Sequence, residues 1–286
     1  MPAKILSGLE VSAVVKERVR KAVNELKGQG VQPCLATVLV GDDSASATYV
    51  SSKQKTAKEL GIATRDHRLK ASFMQQELLD LVQLLNNDPK VHGILVQLPF
   101  PKHIDEFAIT SSISLLKDVD GLTPYSAGML QNGMAHLKPC TPSGIIEILD
   151  YYGIDVAGMD AVILNRSNLV GKPLAFMLLE RNATVTICHS KTKGLAEKLR
   201  GGDLIVTAVG NRGRFTLTAD MVKEGAVVID VGTSRHGGNM AGDVDFDSVK
   251  EKASWITPVP GGVGPMTIAM LMKNTVSAAS ISRGMQ

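Results

Sequence analysis

A tyrosine and a lysine stand four residues apart in the segment SATYVSSKQKTA, residues 46–57. If this segment forms a helix, Tyr49 and Lys53 share one face, because side chains at positions i and i+4 are neighbours. A phenol beside an ammonium can orient a substrate and move a proton. The same spacing is common on ordinary exposed helices, so the pair alone leaves a surface role open.

A second candidate is the segment VILNRSNLVGKPLA, residues 162–175, which is typical of a strand that runs through a loop into a helix. Such a junction directs backbone amides and the positive end of the helix dipole toward an anion. It contains one glycine, Gly171, so an ordinary β–α–β crossover is the alternative. Gly210 and Gly232 favour the nucleotide interpretation, since each follows a predicted strand at the end where ligands of open α/β sheets bind.

The residues around this loop indicate which dinucleotide it accepts. The second strand of the unit ends in CHSKT, residues 188–192, without the carboxylate that usually holds the ribose hydroxyls of NAD. Arg166 follows the first strand, and Ser190 and Lys191 follow the second, so the pocket would be cationic and rich in hydroxyls. We therefore predict NADP. His189 lies in the same loop, where a cofactor contact or a surface role is expected rather than catalysis.

Alternating helical and strand patterns predict parallel α/β structure in both halves of the chain. Helices are predicted at 9–26, 46–60, 73–85, 141–153, 173–181 and within 265–286, and strands at 34–41, 62–69, 91–101, 160–164, 184–188, 203–208 and 226–231. The stretch 121–140 is rich in glycine and turn formers, and the last helix can return to the first domain. We predict two α/β domains: an N-terminal parallel α/β catalytic domain, 1–125 plus 265–286, and a Rossmann-type NADP-binding domain, 126–264.

Composition excludes several other classes of protein. The formal net charge of +3 is small and aromatic residues make up 4% of the 286 residues, which argues against a nucleic-acid partner. The three cysteines have no CxxC spacing, so neither a metal site nor a disulfide framework is predicted. The first residues lack the apolar core of a signal peptide, and Lys273 interrupts the longest apolar tract near the C-terminus. We expect a soluble cytoplasmic protein without a membrane partner.

Eight segments together resemble one known family. They occur in the same order and at similar spacing as in the bifunctional methylenetetrahydrofolate dehydrogenase/cyclohydrolase family: Tyr49-x-x-x-Lys53, GILVQLPFP, KDVDGLT, KPCTPSGI, RSNLVGKP, CHSKT, GDVDF and TPVPGGVGPMT. The resemblance covers almost the whole chain, and KDVDGLT and PVPGGVGPMT are highly specific.

The resemblance implies an enzyme with two activities in one shared active site, in a cleft between the two domains of a homodimer. With NADP it would oxidise 5,10-methylenetetrahydrofolate to the methenyl form, and it would then hydrolyse that product to 10-formyltetrahydrofolate. Tetrahydrofolate derivatives are thus the expected partners. Departure of the hydride leaves a delocalised cation, so oxidation needs positioning of the nicotinamide rather than a strong base. Hydrolysis needs a water and a proton carrier.

The resemblance also assigns roles to individual residues. Lys53 is implied as the central catalytic residue, Gln97 as its hydrogen-bonding partner, Tyr49 as a surface that stacks on the folate, and Asp120 as the holder of the pterin. Further substrate contacts are implied at Ser46, Cys140, Pro260, Gly261 and Gly262. The candidate cofactor contacts are Asn165, Arg166, Ser167, Val170, His189, Ser190, Gly210, Gly232 and Thr233. Whether Lys53 acts as a base, an acid or a water-orienting charge stays open.

Two departures from the family pattern bear on the cofactor loop. Asn165 stands where the family usually has glycine, as in GRS. Asparagine tolerates left-handed backbone angles better than most residues, so the loop could keep its path while the side chain either crowds the pyrophosphate or adds a hydrogen bond. Arg212 and Arg214 make a later loop more basic than is usual in relatives. These arginines either change the affinity for the cofactor or are neutral variation in the loop.

Three alternatives accompany the main interpretation. One is a family member that has lost one activity, but the key substrate-side residues are all present. Another is a catalytically silent regulator that binds NADP or folate. In such a protein we would expect Lys53 or Asp120 to be replaced, and both are present. The third is a Schiff-base enzyme that uses Lys53, which borohydride trapping with an aldehyde substrate would detect.

Overall fold

The computed structural model describes residues 2–236 and 239–284. Its contacts divide the chain into two compact units. We call Val14–Cys140 with Ile268–Gln286 the three-stranded unit, and Met1–Ala13 with Thr141–Thr267 the six-stranded unit. Helices α1 (Gly8–Gly28), α6 (Cys140–Tyr151) and α10 (Val263–Ile281) each contribute residues to both units, α6 only its first residue to the three-stranded unit.

The three-stranded unit is a parallel sheet with helices between its strands. Its strands are β2 (Cys34–Val40), β3 (Ala63–Leu69) and β4 (Gly93–Gln97), and its helices include α2 (Ser44–Glu59), α3 (Gln75–Asn87), α4 (Glu106–Ser111) and α5 (Pro124–Gln131). The order is β3-β2-β4, with β2 parallel to both neighbours. All seven residues of β2 are buried, because the strand is central and covered on both faces.

The six-stranded unit is built around a second parallel sheet. Its strands are β1 (Lys4–Ile5), β5 (Asp160–Leu164), β6 (Thr184–Cys188), β7 (Leu204–Thr207), β8 (Val227–Asp230) and β11 (Trp255–Ile256), in the order β1-β11-β8-β7-β5-β6. Its helices include α6 (Cys140–Tyr151), α7 (Gly171–Leu179), α8 (Leu195–Gly201) and α9 (Phe246–Val249), and β9 (Ser234–His236) pairs antiparallel with β10 (Asn239–Ala241). The carboxyl ends of β5, β6, β7 and β8 meet at one edge, since these strands are parallel.

The two-domain α/β class predicted from the sequence is confirmed. Every helix and strand predicted there occurs, with ends shifted by a few residues. The compact units differ from the predicted domain ranges in three places, one of which is residues 265–267, which lie with the six-stranded unit. Residues 1–13 lie with the six-stranded unit because β1 pairs with β11. Residues 126–140 lie with the three-stranded unit, where Asn274 of α10 donates to the Lys138 carbonyl at 2.8 Å. As functional domains the predicted ranges stay a prediction.

Two further observations concern membrane-spanning helices and the cysteines. Within the described ranges, no helix is both long and apolar enough to cross a membrane. Cys34, Cys140 and Cys188 are all buried thiols without a disulfide partner.

Candidate active site

Helix α2 presents one face made of Ser46, Tyr49 and Lys53. The helix begins after Asp43, whose carboxylate accepts the Ser46 amide at 2.7 Å and caps the first turn. Ser46 and Lys53 are buried, whereas 46% of Tyr49 is exposed. The Lys53 ammonium lies 5.4 Å from the centre of the Tyr49 ring, within the range of a cation–π contact. The predicted proximity of Tyr49 and Lys53 is therefore present in the structure.

Gln97 fixes the position of the lysine. It is the last residue of β4, and its Oε1 accepts a hydrogen bond of 3.0 Å from Lys53 Nζ. Its Nε2 donates to the Leu98 carbonyl at 2.8 Å, which leaves the side-chain oxygen to face the ammonium. A buried ammonium needs such an acceptor, because burial of a charged group without a partner is costly.

Asp120 and Cys140 lie close to this face. Partial burial, and after it the negative charge of Asp120, raise the pKa of the Tyr49 phenol. The pKa of the Cys140 thiol is raised well above its usual range, mainly by burial and then by Asp120, while Lys53 partly offsets the shift. Cys140 also donates from Sγ to the Val119 carbonyl at 3.3 Å. A protonated, buried thiol of this kind is a packing group rather than a nucleophile.

Two supporting residues were not identified from the sequence. Asp118 is 1% exposed and accepts hydrogen bonds from the Thr123 amide at 2.8 Å and the Ser126 hydroxyl at 2.6 Å, so it holds the turn that carries Asp120. Asn274 donates to the Val119 carbonyl at 2.8 Å. The KDVDGLT motif contained the signal for Asp118. Nothing local marked Asn274, since it lies in an apolar helix 155 residues beyond its partner.

The Pro260–Gly261–Gly262 segment belongs to the six-stranded unit and packs against the start of α1. The Leu9 amide donates to the Gly261 carbonyl at 3.1 Å. A Cβ added at Gly8 would overlap the Gly262 carbonyl, so the approach requires glycine. Gly261 itself has a φ of +101°, a conformation that favours glycine. Close packing therefore shapes this loop.

Asn165 braces the loop between β5 and α7. Its Nδ2 donates to the Ala208 carbonyl at 2.6 Å, and its Oδ1 accepts the Ser167 amide at 2.7 Å and the Gly171 amide at 3.1 Å. Among the described residues, the non-glycine residue with a positive φ is Asn182 and not Asn165. Asn165 therefore does not adopt the left-handed backbone conformation that its residue type had suggested. The hydrogen-bonding alternative is the one that the structure displays.

The remaining predicted cofactor residues of this loop and the next lie at adjacent strand ends. Leu164 and Cys188, the last residues of β5 and β6, are register partners, and the exposed residues Arg166 and Ser190 follow them. Ser167 Oγ accepts the Val170 amide at 3.1 Å and shapes the turn before α7.

His189 has a local role in its loop. Its Nδ1 accepts the Lys191 amide at 3.1 Å, which makes that nitrogen an acceptor. This contact shapes the turn after β6 and leaves only Nε2 for a ligand.

Gly210, Gly232 and Thr233 follow β7 and β8 at the same edge. The amide of Gly210 donates to Asp243 at 3.0 Å, and the amide of Gly232 donates to Asp230 at 2.9 Å. Thr233 is exposed. Burial raises the pKa of Asp230 to about 6, and it raises that of Asp243 as well, although backbone amides that donate to each carboxylate oppose the shift.

The two sets of residues suit different tasks. The first combines a held ammonium, a half-exposed aromatic face and a carboxylate, which can bind a flat heterocycle and deliver a proton. The second combines the start of α7 with the side chains of Arg166, Ser190 and Lys191, which suits a phosphorylated dinucleotide. Within the described residues, no cluster of His, Cys, Asp or Glu has the arrangement of a metal site.

Comparison with known proteins agrees with this division. Residues 6–120 match the family model of the tetrahydrofolate dehydrogenase/cyclohydrolase catalytic domain, and residues 139–283 match that of its NAD(P)-binding domain. The bifunctional protein FolD of Nitrosopumilus maritimus is 58% identical over 277 residues, which cover 97% of this chain and 96% of that protein.

Two solved structures of FolD enzymes are similar over nearly their full length. The methylenetetrahydrofolate dehydrogenase/cyclohydrolase of Campylobacter jejuni has a TM-score of 0.95 at 49% identity, covering 98% of this chain and 99% of that one. The enzyme of Trypanosoma brucei, solved with NADP cofactor and an inhibitor, has a TM-score of 0.93 at 36% identity, covering 99% of both chains.

Proposed function

The chain belongs to the tetrahydrofolate dehydrogenase/cyclohydrolase family, and we infer that it is a bifunctional enzyme of one-carbon metabolism. It oxidises 5,10-methylenetetrahydrofolate to 5,10-methenyltetrahydrofolate with NADP, and it hydrolyses the product to 10-formyltetrahydrofolate. The observation that carries this assignment is the Lys53 ammonium, 5% exposed, held by Gln97 at 3.0 Å beside the Tyr49 ring.

The folate is held by residues of the three-stranded unit in this proposal. The exposed part of Tyr49 offers a ring face for stacking, and Asp120 offers a carboxylate to the N–H groups of the pterin. Ser46 and Cys140 are proposed as further contacts, and Pro260, Gly261 and Gly262 are proposed as substrate contacts on the strength of the family resemblance alone. The neutral Cys140 thiol, whose pKa is raised mainly by burial, adds no charge that would compete with Asp120.

Lys53 acts in the hydrolytic step. Loss of a hydride from the one-carbon bridge leaves a cation shared by two nitrogens, and water must add to this carbon and lose a proton. The Lys53 side chain can orient that water and transfer a proton to the nitrogen that leaves, while Gln97 keeps its Nζ in place. The oxidation itself depends on positioning, so Lys53 matters less to it.

NADP fits the carboxyl edge of the six-stranded unit. A Cβ at Gly171 would overlap the Asn165 carbonyl, so the tight turn requires glycine there. Helix α7 begins at this residue, and the positive end of its dipole favours an anion. Arg166, Ser190 and Lys191 provide the cation and hydroxyl for a 2′-phosphate, and no acidic residue occurs in the CHSKT segment. When bound, NADP accepts the hydride, and Val170, His189, Gly210, Gly232 and Thr233 line the same edge as candidate contacts.

We further propose that the enzyme is a homodimer that works in the cytoplasm. Strand β3 supports the first point, because it lies at the edge of its sheet with seven residues whose outer backbone groups can pair with another chain. Light scattering coupled to size-exclusion chromatography tests the dimer, and a single mass equal to one chain would exclude it.

A spectrophotometric assay tests the proposed activity. The purified protein receives 5,10-methylenetetrahydrofolate with NADP or with NAD, and the methenyl product is followed as it forms and decays. We expect NADP-dependent formation followed by enzyme-dependent decay. Equal rates with NAD would overturn the cofactor assignment, and formation without catalysed decay would overturn the cyclohydrolase assignment.

A further inference from the structure

We propose that three side chains, Asn165, Asp243 and Asp230, are positioning residues that hold the NADP-binding loops in place before the cofactor arrives. The proposal rests on the assignment of NADP to this edge of the six-stranded unit. The three residues come from separate segments of the chain, and together they tie the loops that follow β5, β7 and β8. We call them the loop brace.

Asn165 forms the first part of the loop brace. Through Oδ1 it holds the amides of Ser167 and Gly171, at 2.7 and 3.1 Å, and through Nδ2 it reaches the Ala208 carbonyl at 2.6 Å. One side chain thus connects the Arg166–Ser167 turn, the first residue of α7 and the end of β7. The Ser167 and Gly171 amides are both engaged by Asn165, so the role of Asn165 is to shape the loop and not to leave these amides for the cofactor phosphates.

Asp243, which follows β10, forms the second part and holds the loop after β7 at the residues next to Ala208. Its carboxylate is fully buried and accepts the amides of Val209 at 2.6 Å and Gly210 at 3.0 Å. The Ala208 carbonyl bonded to Asn165 and the Val209 amide bonded to Asp243 belong to the same peptide group. The hydrogen bonds therefore run continuously from the loop after β5 through the loop after β7.

Asp230 forms the third part at the end of β8. It is 3% exposed, and it accepts the amides of Gly232 at 2.9 Å, Asp243 at 3.0 Å and Val244 at 2.9 Å. A Cβ added at Gly232 would overlap the Asp243 carboxyl, and one at Gly242 would overlap Asp230, so both glycines allow a close approach. The packing leaves little room for the loop after β8 to move independently.

The physical advantage of such a brace is that the loops are ordered before binding. Loop ordering costs conformational entropy, and a site ordered in advance binds its ligand more tightly. Removal of one brace residue should therefore weaken NADP binding without changing the chemistry of the loaded enzyme. A residue that only stabilises the fold would lower the melting temperature and leave the dissociation constant unchanged.

Asn165→Ala is the direct test, with Asn86→Ala as a matched control. Asn86 makes the same kind of bridge in the three-stranded unit, where it donates to the Ser112 carbonyl at 2.7 Å and accepts the Ser114 amide at 2.9 Å. The dissociation constant of NADP is measured by calorimetry for the wild type and both variants. Hydrogen exchange of the Gly171 and Ser167 amides is measured without cofactor.

We expect Asn165→Ala to raise the dissociation constant about tenfold, to speed exchange at both amides, and to leave kcat at saturating NADP within about twofold of the wild type. Asn86→Ala should leave NADP binding unchanged. If Asn165→Ala does not fold, Asp243→Asn replaces it, with the same expectation and with exchange followed at Gly210.

The outcomes separate the two proposals. Failure of the wild type to bind NADP would overturn the proposed function. Binding by the wild type together with an unchanged dissociation constant in the folded variant would overturn the loop brace alone. An equal loss of affinity in Asn165→Ala and Asn86→Ala would also overturn it, since the effect would then reflect general destabilisation.

Discussion

The ammonium of Lys53 donates a hydrogen bond of 3.0 Å to the side-chain carbonyl oxygen of Gln97, a residue 44 positions later in the chain. Helix α2 supplies the lysine and the end of β4 supplies the glutamine, so the contact depends on the packing of a helix against the sheet. The hydrolytic activity should therefore be sensitive to a residue that need not touch the substrate.

Gln97→Ala should reduce hydrolysis of methenyltetrahydrofolate about tenfold to a hundredfold, because the buried ammonium loses its acceptor and its fixed position. NADP-dependent oxidation should fall much less. Gln54→Ala is the control. Gln54 lies next to Lys53 on helix α2, and its side chain donates to the Thr37 hydroxyl at 3.1 Å. Comparable losses in the two variants, measured by decay of the methenyl absorbance, would show that Gln97 has no special part in hydrolysis.

Arg166→Ala and Ser190→Asp should change the preference between cofactors. Removal of the Arg166 guanidinium takes away the cation for a 2′-phosphate, and a carboxylate at residue 190 restores the group that usually holds the ribose of NAD. We expect the ratio of kcat/KM for NADP to that for NAD to fall at least about tenfold in each variant. Arg181→Ala, which removes a guanidinium paired with Asp150 on the surface, should leave the ratio unchanged. An unchanged ratio in both test variants would place the 2′-phosphate elsewhere.

Asp230 makes the stability of the six-stranded unit depend on pH. Burial raises its pKa to about 6 in the folded protein, whereas an aspartate in an unfolded chain has a pKa of about 3.9. The folded state therefore binds the proton more tightly, and the stability that this proton contributes is present below about pH 4 and lost as the pH rises through about 6.

The pH dependence can be measured with Asp230→Asn. Relative to this variant, the wild type should gain up to about 3 kcal/mol in free energy of unfolding as the pH falls from about 7 to about 4. Urea unfolding followed by the fluorescence of Trp255, the single tryptophan, reports on this unit. Asp155→Asn, at an exposed aspartate of the same unit, is the control. A difference between wild type and Asp230→Asn that stays constant with pH would contradict the assignment.

The parts of the fold that follow local rules could be predicted from the sequence. The apolar run of β2 marked a buried strand, and the four-residue spacing of Tyr49 and Lys53 placed them on one helical face. The loops after β5 and β6 were recognisable because glycine, asparagine and polar residues follow apolar strands. Each of these signals depends on residues that are close together in the sequence, so it can be read without knowledge of the fold.

The supporting residues could not be predicted in the same way. Asn165 suggested left-handed backbone, yet its side chain donates to the Ala208 carbonyl, 43 residues away. Asp230 and Asp243 are carboxylates in a buried position, which residue type alone argues against. They are tolerated because backbone amides from other loops converge on them, and no local pattern describes that convergence.

Lys53→Ala tests the central claim most directly. Purified wild type, Lys53→Ala and the control Lys55→Ala, whose lysine side chain is 79% exposed, are given 5,10-methenyltetrahydrofolate, and the catalysed decay is measured above the uncatalysed rate. We predict that Lys53→Ala loses at least about a hundredfold in hydrolysis, because the group that orients water and carries the proton is gone, while Lys55→Ala retains the wild-type rate. Near-full hydrolysis by a folded Lys53→Ala variant would contradict the account.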